Sequence, residues 1–455
     1  MTAVVAHGEP RVLAAPRVAT TVCVTAAATV SLAPSLLPRS AAVQAVVTGV
    51  LVALGLAVAS LWRRVTERRT HSVGSDSDVR RVVVWCAGAA TGATLLLAGH
   101  WQRGLREATG AAPVSPAYWP AVLAGAAAVT TALVLTAAGL RRLRRAGIGR
   151  LRRNRNTRRV TASVLAATVA LAFWIGPAAG AAAAGNTTAG LTLPRPQSPS
   201  ISGSAESLTP WETLGGEGRR FATASAAPST VRTYVGLDSA PDSESRVRLA
   251  IRELDRAGGF TRSNLVIAVP TGSGWVDANA LAGFEQRFGG DVAEVAVQYS
   301  AAPSWATFVL DRRSAAESAR ALYSAVAQHV SQLSPASRPN VYVYGQSLGA
   351  MGAAAAADGA YPPCGVLLAG LPAGVTAPRG ATVLANASDP VVHWSPRLLV
   401  APPRLDGTRR DAPTPPWLPV VSFVQTTVDL LTSLDSAPGH GHRYGTDQGT
   451  ALPHC

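Results

Sequence analysis

Four cysteines in 455 residues are too few for a disulfide scaffold. Cys23 and Cys86 sit inside apolar runs, where a thiol is a packing group. Cys364 and Cys455 lie in the polar half of the chain, and a bridge between them requires that half to be outside the cytoplasm. Spacing does not decide the pairing. No C-x-x-C pair, H-E-x-x-H or EF-hand loop occurs, so no metal site is expected. Gly272-Ser273-Gly274 has the spacing of neither nucleotide-binding loop, and no cofactor is expected. Lysine is absent, and all 41 basic residues are arginine. Charged residues are scarce as well, at 15% against 48% apolar, with a mean hydropathy of +0.20. That balance leans toward a membrane protein.

The net charge of +15 suggests a nucleic-acid binder until its distribution is considered. Residues 1–185 hold 21 arginines against five acids, Glu9, Glu67, Asp76, Asp78 and Glu107. The remainder carries 20 arginines and 21 acids. The excess therefore belongs to the apolar half, where it reads as a topology signal, and the expected partner is the lipid bilayer, not nucleic acid. Five apolar spans can be drawn, at about 18–37, 41–62, 82–99, 117–140 and 159–184. Pro34 and Pro38 separate the first from the second. Arginines crowd the second and fourth connections, which places those two in the cytoplasm. An odd number of spans then puts everything after about residue 185 outside. No acid lies in mid-span, which argues against a transporter. The alanine and glycine of the spans suggest closely packed helices.

Residues 186–230 are rich in Gly, Ser, Thr, Pro and Ala and read as a linker. Beyond them strand and helix signals alternate. Strands are expected at Arg232–Leu237, Leu265–Pro270, Val292–Tyr299, Val341–Tyr344, Gly365–Ala369 and Thr382–Ala387. Helices are expected near Ser243–Ala257, Ala278–Phe288, Ala315–Leu333, Leu348–Ala357 and Val421–Leu434. Such alternation implies a mainly parallel sheet covered on both faces.

The chemistry concentrates at Gly345-Gln346-Ser347-Leu348-Gly349, which fits the G-x-S-x-G nucleophile elbow between a strand and a small-residue helix. Ser347 is the expected nucleophile, with the Leu348 amide facing a developing oxyanion. A serine that merely caps a helix is the plainer alternative. A serine nucleophile needs a base and an orienting acid, in the chain order Ser, Asp/Glu, His. Asp389 follows the last expected strand, where the acid belongs; an Asx-turn before Pro390 is the structural alternative. His442 is preferred as base over His440 in the glycine-rich loop Gly439-His440-Gly441-His442. Thr271 and Gly272, after an early strand, are candidates for a second oxyanion amide. Trp275, Trp305, Trp394 and Trp417 are candidates for an acyl pocket, with core packing the default for each.

Several separate motifs carry a resemblance over nearly the whole chain. They are Pro34-Ser35-Leu36-Leu37-Pro38, Tyr234-Val235-Gly236-Leu237, Pro270-Thr271-Gly272-Ser273-Gly274-Trp275, Gln298-Tyr299-Ser300, the elbow, Ser388-Asp389-Pro390 with Trp394-Ser395-Pro396, and Gly439-His440-Gly441-His442. Together they resemble an actinobacterial family that joins an N-terminal multi-span region to a C-terminal α/β-hydrolase domain. Members often carry Glu before the serine, where this chain has Gln346. With the spans and alternating elements read above, this resemblance gives an expected all-α transmembrane bundle of about five helices over 1–185 and an α/β-hydrolase-like catalytic domain with a mainly parallel sheet over 231–455. It also implies a membrane serine hydrolase acting on an acyl ester, and it supplies no substrate. Acyl transfer by the same triad and a non-catalytic scaffold remain alternatives.

Overall fold

The computed structural model describes residues 18–66, 77–146, 190–224, 227–302, 312–359 and 361–455. They divide into two compact units.

The first unit is helical: α1 (Val18–Ser31), α2 (Ala41–Thr66), α3 (Ser77–Ala108, of which the part up to Arg103 belongs here) and α4 (Tyr118–Ala146). After the break at Pro38, Ser40 opens α2 by accepting the Val43 amide at Oγ (3.3 Å). Ala41–Val65, Asp78–Ala108 and Tyr118–Arg142 are long and apolar enough to cross a bilayer. The shortest of them, 25 residues, rises about 37 Å at 1.5 Å per residue, against a hydrocarbon core of about 30 Å. The expected first span differs. Its helix stops at Ser31, and the 14 residues of α1 reach only about 21 Å. The expected fifth span, 159–184, lies outside the described residues.

Several polar side chains inside this apolar unit pair across helices. Ser31 Oγ reaches Thr48 Oγ1 (3.0 Å), and Gln44 Nε2 donates to the Ser31 carbonyl (2.9 Å). At Gly49, α2 and α4 approach so closely that a Cβ would stand 2.6 Å from that of Val129. Thr130 Oγ1 donates to the Gly49 carbonyl at the same crossing (3.0 Å). Small residues and interhelical hydrogen bonds are what hold helices together where burial of apolar surface gives little drive.

The second unit gathers Ser35–Pro38, Gly104–Pro113 and the chain from Ile175 onward. Its elements are α5 (Gly215–Thr223), β1 (Val231–Val235), α6 (Ser243–Arg256), β2 (Asn264–Val269), α7 (Ala278–Phe288), β3 (Val292–Val297), α8 (Arg312–Gln332), β4 (Asn340–Gln346), α9 (Leu348–Ala357), β5 (Gly365–Ala369), β6 (Thr382–Leu384), α10 (Pro390–His393), α11 (Val421–Leu430) and α12 (Asp447–Thr450). The six strands form one parallel sheet in the order β1-β3-β2-β4-β5-β6. Alternation along each strand divides the core in two. Leu265, Ile267 and Val343 face α6, α8 and α9; Val266, Ala268, Tyr342 and Tyr344 face the layer of Phe221, Leu281 and Phe284. A sheet buried on both faces is what βαβ crossovers produce.

All six expected strands and the five expected helices occur; Gly365–Ala369, Ala278–Phe288 and Leu348–Ala357 keep the expected bounds, and the ends of the others shift. The linker reading needs correction. Of residues 186–230, the described stretch from 190 packs on the sheet: Trp211, Leu214 and Phe221 are buried, and Ser202 N donates to the Arg232 carbonyl (2.8 Å). Three scattered large apolar residues were enough to seat a segment whose composition resembles a linker.

Cys364 and Cys455 form a disulfide, with Cα atoms 5.3 Å apart and a sequence separation of 91. Closing so long a loop removes much unfolded-state entropy. Replacing both cysteines with serine should cost this unit about 2–4 kcal/mol and lower its thermal midpoint by several degrees. An unchanged midpoint would show that the bridge contributes nothing to stability.

Candidate active site

Strand β4 runs through the middle of the sheet and turns into α9 at Ser347, whose φ of 58° and ψ of −122° few non-glycine residues adopt. The flanking glycines make the turn possible. A Cβ on Gly345 would strike the Gly349 backbone, and one on Gly349 would strike the Val269 carbonyl. Ser347 N donates to the Ala369 carbonyl (2.9 Å), so the turn stays hydrogen-bonded to β5. The serine is half-buried. As the first helical residue, Leu348 has no carbonyl within α9 for its amide.

Asp389 is fully buried at the start of α10. Its Oδ1 caps that helix by accepting the Val391 amide (2.8 Å). Its Oδ2 accepts the Tyr444 hydroxyl (2.7 Å) and stands 2.7 Å from His442 Nδ1. With Nδ1–H turned to the carboxylate, the neutral imidazole presents Nε2 as an acceptor. That atom is buried and makes no hydrogen bond, to Ser347 Oγ or to any other group. The pair lies against Gly370, where a Cβ would be 2.6 Å from His442 Cε1 and 2.9 Å from Asp389 Oδ2. Gly370 directly follows Ala369, the residue that accepts the Ser347 amide, so one end of β5 supports both groups. Serine–imidazole contacts in unliganded sites are commonly long and tighten when substrate binds.

His440 goes elsewhere. Its Nδ1 is 3.4 Å from Asp411 Oδ2, and it is partly exposed. Asp411 also takes the Ser388 amide (3.0 Å) and hydroxyl, and Ser388 Oγ accepts from Gly441 N (2.8 Å). This second carboxylate secures the loop between the two histidines. The segment Ser35–Pro38 is also built into this unit: Leu36 N donates to Asp429 Oδ2 (2.8 Å), and Leu37 packs under Gly441. Burial pushes the His393 imidazole pKa down, and its Nε2 meets the Ala387 carbonyl at 2.7 Å, holding the turn that carries Asp389.

The loop after β2 is braced by Tyr234, whose hydroxyl donates to the Gly274 carbonyl (2.8 Å), and by Gln298 Nε2 on the Ser273 carbonyl (2.9 Å). Thr271 is not available as an oxyanion donor, because its amide is spent on the Trp275 carbonyl within the same turn (3.0 Å). Gly272 is buried beside it. Trp394 stacks near Phe423 and donates to Thr427 Oγ1, and Trp417 donates to the Leu398 carbonyl; both are packing contacts. Trp305 lies outside the described residues.

Three contributors had no sequence signal. Tyr444 reaches Asp389, and Asn386 Nδ2 holds the Gly441 carbonyl (2.8 Å). The third is Gln346, next to the serine, whose Nε2 donates to the His442 carbonyl (2.8 Å) in a buried position. An amide can do this; an ionised carboxylate, which only accepts, cannot. Gln346→Leu strands a buried carbonyl and should cost about 1–3 kcal/mol in chemical denaturation. In Gln346→Glu the folded state disfavours the ionised acid, which raises its folded pKa. The variant should therefore be most stable in acid and lose stability as pH rises through the carboxyl range. A pH-independent loss would mean that this hydrogen bond is not what the side chain supplies.

The chain matches the model of an alpha/beta-hydrolase family over residues 231–381 and 376–452. Residues 32–225 match the companion model of that family's N-terminus. No curated protein and no solved structure matches the chain. With a parallel six-stranded sheet, a strained serine turn after its central strand and two family models spanning most of its length, the chain belongs to the alpha/beta-hydrolase family.

Proposed function

We propose that the protein is a membrane-anchored serine hydrolase that cleaves an ester or thioester through an acyl-enzyme. The observation that carries this reading is the buried His442–Asp389 pair, with Nε2 unpartnered, set against the strand end that also holds Ser347. Ser347 Oγ attacks the acyl carbonyl while His442 Nε2 takes its proton. Asp389 stabilises the imidazolium and keeps the ring oriented. The tetrahedral oxyanion is met by the amides of Leu348 and Gly272. His442 then returns the proton to the leaving alkoxide or thiolate. In the second half-reaction water attacks the acyl-serine, His442 receives its proton, and Ser347 is released with a free acid. An alcohol in place of water would make the same site an acyltransferase.

With the arginine-rich second and fourth connections in the cytoplasm, a crossing by the expected span 159–184 puts the catalytic unit outside, and the Cys364–Cys455 bridge belongs to an oxidising compartment. An extracytoplasmic site on a membrane-anchored chain suits a lipid or cell-envelope ester. Full-length protein should label with a fluorophosphonate probe. Labelling should vanish in Ser347→Ala and fall at least a thousandfold in rate in His442→Ala and Asp389→Asn, while His440→Ala stays near wild type. Folded wild type that resists the probe would sink the enzyme reading and favour a scaffold with a hydrolase-like domain.

A further inference from the structure

The first unit holds a cavity of about 860 Å³ between α2 and α4. Its floor is apolar, from Ala53 and Leu56 on α2 to Leu133 and Ala137 on α4. Its mouth is cationic, formed by Arg63, Arg64 and Arg141, and no acidic residue lines it. Arg64 and Arg141 are exposed. Arg141 commits one N–H to the Ala137 carbonyl (3.0 Å), out of five that a guanidinium carries. From Ala53 to Arg64, eleven residues of helix rise about 16 Å. An occupant must therefore carry negative charge at one end and an apolar body of about that length behind it.

A small soluble anion would leave the apolar floor uncovered. Arginines acting only as topology anchors would need no cavity between the helices. We propose that the groove between α2 and α4 binds an anionic phospholipid, its phosphate held by Arg63, Arg64 and Arg141 and an acyl chain lying over Leu56 and Leu133. Both helices are long and apolar enough to span the bilayer, so the headgroup and chain lie at the depths a phospholipid occupies. Guanidinium suits the role because its planar fork meets two phosphate oxygens at once. A basic pocket between spanning helices is a recognised form of headgroup site.

The test uses full-length protein in mild detergent titrated with fluorescent phosphatidylglycerol, with phosphatidylcholine as the neutral control. Wild type should bind phosphatidylglycerol saturably, at one per chain, and prefer it to phosphatidylcholine by roughly tenfold or more. The pair Arg64→Gln and Arg141→Gln, at exposed positions where folding is unaffected, should abolish the preference. The pair Arg81→Gln on α3 and Arg142→Gln on α4, both exposed and outside the cavity lining, should retain it. Inorganic phosphate should not compete, since it lacks the chain. An equal loss in both pairs would reduce the effect to general surface charge and overturn the site. So would equal binding of both lipids, non-saturating uptake, or displacement by inorganic phosphate.

Discussion

A buried carboxylate is costly unless its oxygens are engaged, and Asp389 sets that requirement for much of the second unit. Three donors meet it: the Val391 amide from its own helix, and the His442 ring and Tyr444 hydroxyl from near the end of the chain. The last two come from a loop more than fifty residues away in sequence. To engage both oxygens of a carboxyl group buried this deeply, the C-terminal segment must return to the carboxyl end of the sheet. Desolvation and the adjoining carboxylate in turn raise the Tyr444 phenol well above its usual pKa, which favours the protonated form that donates to Asp389. The disulfide between Cys455 and Cys364, just before β5, fixes the same return at its far end.

The strained turn at Ser347 and the histidine loop are not supported independently. Ser347 N is held by Ala369, and the next residue, Gly370, is the floor on which the imidazole rests. Gln346 extends the coupling by donating from the residue before the serine to the carbonyl of the histidine. Tyr344, two residues earlier on the same face, donates to Gln448 (2.6 Å) in the C-terminal segment. The central strand thus presents the serine and, from adjacent side chains, carries hydrogen bonds to the loop that bears the imidazole. Shared support of this kind keeps two groups in register when loops around them move.

The architecture was legible because it is written in periodicity. Alternating Val/Leu/Ile strands and alanine-rich helices marked all six strands, and G-x-S-x-G marked the one turn where a serine must take positive φ. Chain order singled out Asp389 and a histidine of the Gly439–His442 loop, with His442 preferred over His440. Both sit in the same glycine-rich loop, and only the fold reveals that the Asp411–Ser388 network takes one and Asp389 the other. Gln346, Asn386 and Tyr444 were invisible because each works through a contact more than fifty residues away in sequence. The Thr271 amide failed for a local reason: a tight turn spent it on Trp275 before any substrate arrived. The linker reading failed because composition registers the many small residues and not the few that anchor.

The helical unit obeys a different constraint. On α3, Trp85, Leu96 and Leu97 are 79%, 77% and 70% exposed, and only 6% of its most apolar window is buried. Water would penalise that much bare apolar surface heavily, whereas hydrocarbon does not. The helices that do pack, α1 with α2 and α2 with α4, use small residues and paired polar side chains, which still attract in a solvent as apolar as leucine. Arginine at the far ends of α2 and α4 then limits how far those helices can slide through the bilayer, because guanidinium must remain at the headgroups. Among the described residues, bare apolar faces, small residues at the crossings and arginine at the ends all fit a helical region whose solvent is lipid.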